Sequence, residues 1–175
     1  MSLDGTLWVE NGTPYMVFCH EWIQVTDGTI ELMQLKKDLL ENDGIPQTLF
    51  SATQAKWAKS LDEVGVKHEN KIKKGYITDG PFLYRTNNGK LLMIWSSFGL
   101  DKYAVGLAES ETGSIKGPWK VILEPLFKAN GGHGMIFKTF DGQLKLVLHQ
   151  PNNSPMERAQ LFDLEDAGNI IRIKQ

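Results

Sequence analysis

The chain has a single cysteine, no long apolar run and no excess of either charge. One cysteine excludes an internal disulfide framework. Cys19 also stands inside an apolar stretch, where it reads as a small buried hydrophobe rather than a nucleophile. Without 18 consecutive apolar residues, no helical membrane span is expected. The formal net charge of −2 leaves no basic face, so nucleic acid is not an expected partner. Gly-x-Ser-x-Gly, P-loop and dinucleotide fingerprints are missing. His20, His68 and His149 lack the spacing of a zinc site. The N-terminus carries no signal-peptide pattern, and Met1-Ser2-Leu3 reads as a leader ahead of the first repeat, so localisation is left open.

What is present is ordinary globular composition with a repeated pattern. The apolar fraction is 41% and the charged fraction 23%. At 175 residues the chain is expected to form one domain that buries roughly 70% of its unfolded surface. The most informative stretch runs from Ile77 to Ser97. Asp79-Gly80-Pro81 leads a strand, Asn88-Gly89 supplies the positive φ of a hairpin turn, and Leu91–Ser97 forms the second strand. The same order recurs from Asp4-Gly5 to His20 and from His133-Gly134 to His149. The spacings, about 75 and 54 residues, describe an array of equivalent sheet units. The polar leads are Asp4, Asp79 and His133. Units arranged around an axis would bring all three leads to one pocket.

Between the hairpins lie more strands and tight turns. Thr29–Leu35 alternates as a third strand after Asp27-Gly28. Pro46 with Leu49–Ala52 resembles Pro125 with Leu126–Ala129, and each precedes a hairpin. Ala55, Trp57, Ala58 and Leu61 have helical spacing, which predicts a short surface helix over 53–64. The four lysines between 67 and 74 read as a solvated link. Tyr103–Ser110, Arg158–Leu164 and Asn169–Lys174 read as strands. The expected fold is therefore all-β: a partial β-propeller of about three four-stranded antiparallel blades, covering 4–75, 76–128 and 129–175. A β-sandwich is the alternative, but it does not explain the repeated polar-Gly lead.

These residues resemble glycoside hydrolase family 43, which includes arabinofuranosidases, xylosidases and arabinanases. The resemblance covers most of the chain. It is carried by Leu3–Leu7, Met16–Trp22, Thr78-Asp79-Gly80-Pro81-Phe82-Leu83, Gly106–Ser110 through Gly117-Pro118-Trp119, and Gly132–Phe137. It implies a five-bladed propeller with a central funnel, and inversion at the anomeric carbon by three acidic residues: a base, a pKa-modulating Asp and a general acid. Asp4 falls at the modulator. Asp79 falls at the acid, where the family usually has a Glu one methylene longer. Glu21, ending a strand of the neighbouring unit, is a third catalytic candidate. The family's base lies in the first blade, which nothing in this sequence matches, so the chain looks like the C-terminal part of the propeller only.

The resemblance also implies substrate contacts. Glu21-Trp22 would offer a carboxylate to sugar hydroxyls and an aromatic face to a sugar ring. His20, Trp95, Phe98 and His133 are the other expected contacts. His133 matches a pore-facing histidine that in some members approaches a calcium through waters; no cofactor is otherwise required. The expected ligand is a sugar derived from plant polysaccharide. Open end blades would expose apolar faces, from which a homodimer is expected. The alternative function is an inactive fragment that binds carbohydrate or serves only in assembly.

Overall fold

The computed structural model describes residues 1–69 and 71–174. It is all-β apart from a one-turn helix, α1 (Trp22–Val25), and a 3-10 turn at Ala52–Gln54. Sheet I consists of β1 (Ser2–Glu10), β2 (Thr13–His20), β3 (Thr29–Gln34) and β4 (Gln47–Ser51) in that spatial order. A two-stranded ribbon follows, β5 (Lys67–His68) with β6 (Lys71–Ile72). Sheet II is β7 (Asp79–Arg85), β8 (Leu91–Phe98), β9 (Tyr103–Ser110) and β10 (Trp119–Val121). Sheet III is β11 (Gly132–Lys138), β12 (Leu144–Gln150), β13 (Arg158–Asp166) and β14 (Ile171–Ile173). Every ladder in these three sheets is antiparallel.

The sheets stack face to face, and sheet II lies between the other two. One core joins sheets I and II through Val17, Ile30, Phe50, Leu83, Met93 and Trp95. A second joins sheets II and III through Ile94, Val105, Leu107, Ile136, Leu146 and Leu164. Alternate residues of β8 enter opposite cores, and all of Leu91–Ser97 is buried. A strand packed on both faces needs apolar residues at every position, which is why this segment reads as a continuous run. By contrast, β1 alternates: Trp8 packs on the first core while Leu7 and Val9 are exposed.

The first strand of each sheet leads the stack, with β1 against β7 and β7 against β11. Hydrogen bonds pin these strands where the candidate residues sit. The Thr6 hydroxyl donates to Pro81 O at 2.6 Å, and the Thr78 hydroxyl to Thr29 O at 3.1 Å. The His133 N–H donates to the buried Ser96 hydroxyl at 2.8 Å.

Two local expectations fail. No surface helix spans 53–64. The chain makes a short 3-10 turn there, and Ala52, Ala55, Ala58 and Leu61 are buried. Their spacing reflects a coil pressed against the first core rather than a helical face. The likeness of 46–52 to 125–129 is likewise not structural. Gln47–Ser51 is the outer strand of sheet I, whereas sheet II takes its outer strand from Trp119–Val121, and Phe127 makes only a bridge to Val105.

Candidate active site

Each first strand carries a bulge at the same place. Registers shift between Leu3 and Thr6, between Asp79 and Phe82, and between Gly132 and Met135. A bulge adds one residue to one strand and re-aims the side chains around it. The first extra residue of each bulge is left-handed: Asp4 at φ 58°, Gly80 at φ 50° and His133 at φ 52°. Asp and His tolerate that conformation better than bulky or branched residues, and glycine adopts it freely.

This alignment corrects the sequence repeat by one residue. Asp4 and His133 are equivalent to Gly80, not to Asp79. Asp79 corresponds instead to Leu3 and Gly132, which pair across their hairpins with Cys19 and His149 as Asp79 pairs with Ser96. The middle sheet thus puts glycine where its neighbours have polar side chains, and the neighbours close on that gap. The Gly80 N–H donates to Asp4 Oδ2 at 3.4 Å. His133 is so near that a Cβ on residue 80 would lie 2.8 Å from its ring. His133 Nε2 stands 3.8 Å from Asp4 Oδ1. Asp4, Thr6, Gly80, Phe82, His133 and Met135 line a recess along the first strands.

Asp79 sits one step behind that gap. Its Oδ2 accepts a hydrogen bond from the hydroxyl of Tyr103, the first residue of β9. Tyr103 is itself held: its ring stacks on His149 at 5.8 Å and meets Phe98 edge-on at 5.0 Å. Gly132 allows this, since a Cβ there would fall 2.4 Å from the Tyr103 ring. Burial pushes the Asp79 carboxyl up from 3.8 to about 6. The Tyr103 hydrogen bond opposes that rise, the Asp4 charge adds to it, His133 opposes it, and Glu21 adds a smaller push. The same environment drives Cys19 upward, first by burial and then by Asp79 and Asp4, so its thiol stays protonated and unreactive. Tyr103 is also raised well above its ordinary value, by burial and by Asp79, which keeps it a hydrogen-bond donor.

A carboxyl that titrates near 6 can hold a proton at mildly acidic pH and release it to a leaving group. His133 and Asp4 bring one imidazole and one carboxylate to the recess. Among the described residues no group of three or more His, Cys, Asp or Glu side chains is placed to hold a metal.

The other expected site residues divide: Glu21 and Phe98 act near Asp79, whereas Trp22, Trp95 and His20 are engaged elsewhere. Glu21 is buried, lies between β2 and α1 as the residue that precedes the helix rather than ending β2, and acts on Asp79 through its charge. Trp22 is buried with its ring on the backbone of Gly75, which leaves little face for a sugar. Trp95 has no exposed surface; it packs between Phe50 and Trp57 in the first core and cannot contact substrate. Its position inside the doubly buried β8 explains the difference. Phe98, half-buried at the end of the same strand, does reach the site through Tyr103. His20 points to the opposite face of sheet I from Cys19, bonds Gln24 at 3.1 Å, and shares a shallow recess with Phe18 and Glu31. Tyr103, Ser96 and His149 are the residues the sequence reading missed. A signal existed: each sits at the same end of a strand as a lead residue.

The family model of glycosyl hydrolases family 43 matches residues 1–167. The chain belongs to glycosyl hydrolases family 43. Solved structures agree. An endo-arabinase from Bacteroides thetaiotaomicron is 38% identical with a TM-score of 0.86, over 97% of this chain and 58% of that one. An endo-1,4-beta-xylanase from the same organism is 22% identical with a TM-score of 0.74, over 99% and 58%. An alpha-L-arabinofuranosidase from Lactobacillus brevis is 16% identical with a TM-score of 0.73, over 100% and 58%. The last two show the β-propeller fold alone. No curated protein matches. The chain spans 58% of the length of these family 43 structures.

Proposed function

We propose that this family 43 chain takes part in hydrolysing O-glycosyl bonds of arabinose- or xylose-containing polysaccharide with inversion, and that Asp79 is its general acid. The single observation that carries the reading is the state of Asp79. It is half-buried, pushed up to about 6, and oriented by the Tyr103 hydroxyl beside Asp4 and His133. In this reading sheets I to III are three blades of the propeller. Asp79 gives its proton to the glycosidic oxygen as the bond to the anomeric carbon breaks. Asp4 keeps that proton on Asp79 until it is needed, because its negative charge disfavours a second one nearby. Glu21 adds to the same effect. In this reading His133 and Phe98 are sugar contacts.

Inversion needs a second carboxylate to activate water, roughly 6.5–9.5 Å from the acid. That base is assigned to no residue of this chain. The second reading takes that role as unfilled: the 175-residue polypeptide then binds carbohydrate without cleaving it.

One experiment separates the two. The protein is incubated with nitrophenyl arabinofuranoside and nitrophenyl xyloside. Turnover that Asp79→Asn abolishes supports the hydrolase. Sugar binding with no turnover supports the second reading and removes the first for this polypeptide.

A further inference from the structure

A second cleft opens at the same end of sheet II as Asp79. Three connections form it: the segment after the 3-10 turn, the β8–β9 turn, and the segment leading to Phe127. The β8–β9 turn is tight, with the Gly99 N–H donating to Lys102 O at 2.9 Å, and its two stems are Phe98 and Tyr103. The Lys59 N–H donates to Phe98 O at 2.8 Å, which fastens the first segment to the end of β8. The Phe127 N–H donates to Val105 O at 3.1 Å, which fastens the third to β9. The cleft holds about 350 Å³, within the range of small-ligand sites.

Its walls combine an apolar floor with a cationic rim. Trp57 is half-buried against Trp95, at 5.1 Å between rings, and lines the cleft with Leu100 and Pro125. An indole beside aliphatic carbons suits the C–H face of a sugar ring. Four lysines and two acids also line the cleft, a surplus of positive charge in a chain whose net charge is −2. Lys128 is spent on Glu124 at 2.6 Å and Lys59 on Glu63 at 3.5 Å. Lys56 and Lys102 have no ion-pair partner among the described residues.

We propose that this cleft is a binding subsite for an anionic sugar, namely a uronate-bearing unit of the polysaccharide. The proposal deepens the reading above and rests on it for the sugar class. The ring lies on Trp57 with Leu100 and Pro125, and the carboxylate pairs with Lys56 and Lys102. Because Lys102 immediately precedes Tyr103, an occupied cleft fixes the polymer beside the hydroxyl that orients Asp79.

The test uses the full chain carrying Asp79→Asn, so that nothing is cleaved. Calorimetry compares a xylo-oligosaccharide bearing one glucuronic acid with the same oligosaccharide unsubstituted. The acidic sugar is expected to bind roughly tenfold more tightly at low salt, with the difference shrinking as salt is raised. Lys56→Gln with Lys102→Gln, both at the rim, should bring the acidic sugar to the neutral one's affinity. Trp57→Phe should weaken both sugars, and circular dichroism checks its fold. Equal binding of the two sugars, or an acid preference that survives the double lysine variant, overturns the proposal. Turnover of the nitrophenyl glycosides by the chain without Asp79→Asn is measured separately. An acid preference without turnover sinks the catalytic reading alone, and turnover without preference sinks this one alone.

Discussion

Tyr103 donates its hydroxyl hydrogen to Asp79, and that one bond works against the burial that raises the Asp79 carboxyl to about 6. Removing it in Tyr103→Phe lets the carboxyl rise further. Activity that needs protonated Asp79 falls as pH increases through about 6. The alkaline limb of kcat/KM should therefore move upward in Tyr103→Phe, by several tenths of a pH unit to about one. A limb that stays or moves down removes Asp79 from the acid's role.

Asp4→Asn should do the opposite. The Asp4 charge raises the Asp79 carboxyl, so its loss lowers it and shifts the alkaline limb to lower pH. An amide keeps an oxygen to accept the Gly80 N–H, so the bulge should survive. Opposite shifts in the two variants are the signature expected of one titrating group between two neighbours.

The same carboxyl sets a stability profile. Its value in the folded chain, about 6, lies above the ordinary 3.8 of the unfolded one. Its contribution is therefore fully present below about 3.8 and is lost as pH rises through about 6. Asp79→Asn should flatten that decline. At pH 7 the variant should be more stable than the unsubstituted chain by about 1–3 kcal/mol in denaturant titrations.

Gly80→Ala should be costly for two separate reasons. Residue 80 has φ 50°, and its new Cβ would meet the His133 ring and Cα at 2.8–3.0 Å. Left-handed strain alone is worth about 1–2 kcal/mol. The clash acts on the backbone of β11, which the His133–Ser96 bond holds in place. A lower Tm together with lost turnover is expected, whereas Gly142→Ala, left-handed but with open space around it, should lower Tm only by its strain.

The 175-residue polypeptide should self-associate. Sheet I turns Leu7 and Val9 to solvent, and sheet III turns Met135, Phe137 and Leu161 outward; these are 39–63% exposed. Apolar faces of this kind favour covering one another. Light scattering should give twice the chain mass of 19.7 kDa, and a monodisperse monomer would refute the pairing.

The amino-acid order by itself determined the all-β class, the three hairpins with their turn glycines, and the family motifs around Asp4, Asp79 and His133. Those signals are local: a strand's period and a turn's φ are written in consecutive residues. Only the tertiary structure decided which side chains share a space. It moved the middle repeat by one position, because a bulge register depends on the partner strand and cannot be counted along one strand. It sent Trp95 into a core, because burial on both faces of β8 comes from two neighbouring sheets. It brought the Tyr103 hydroxyl to Asp79 and stacked His149 on the Tyr103 ring, contacts between strands that the order along one strand does not give.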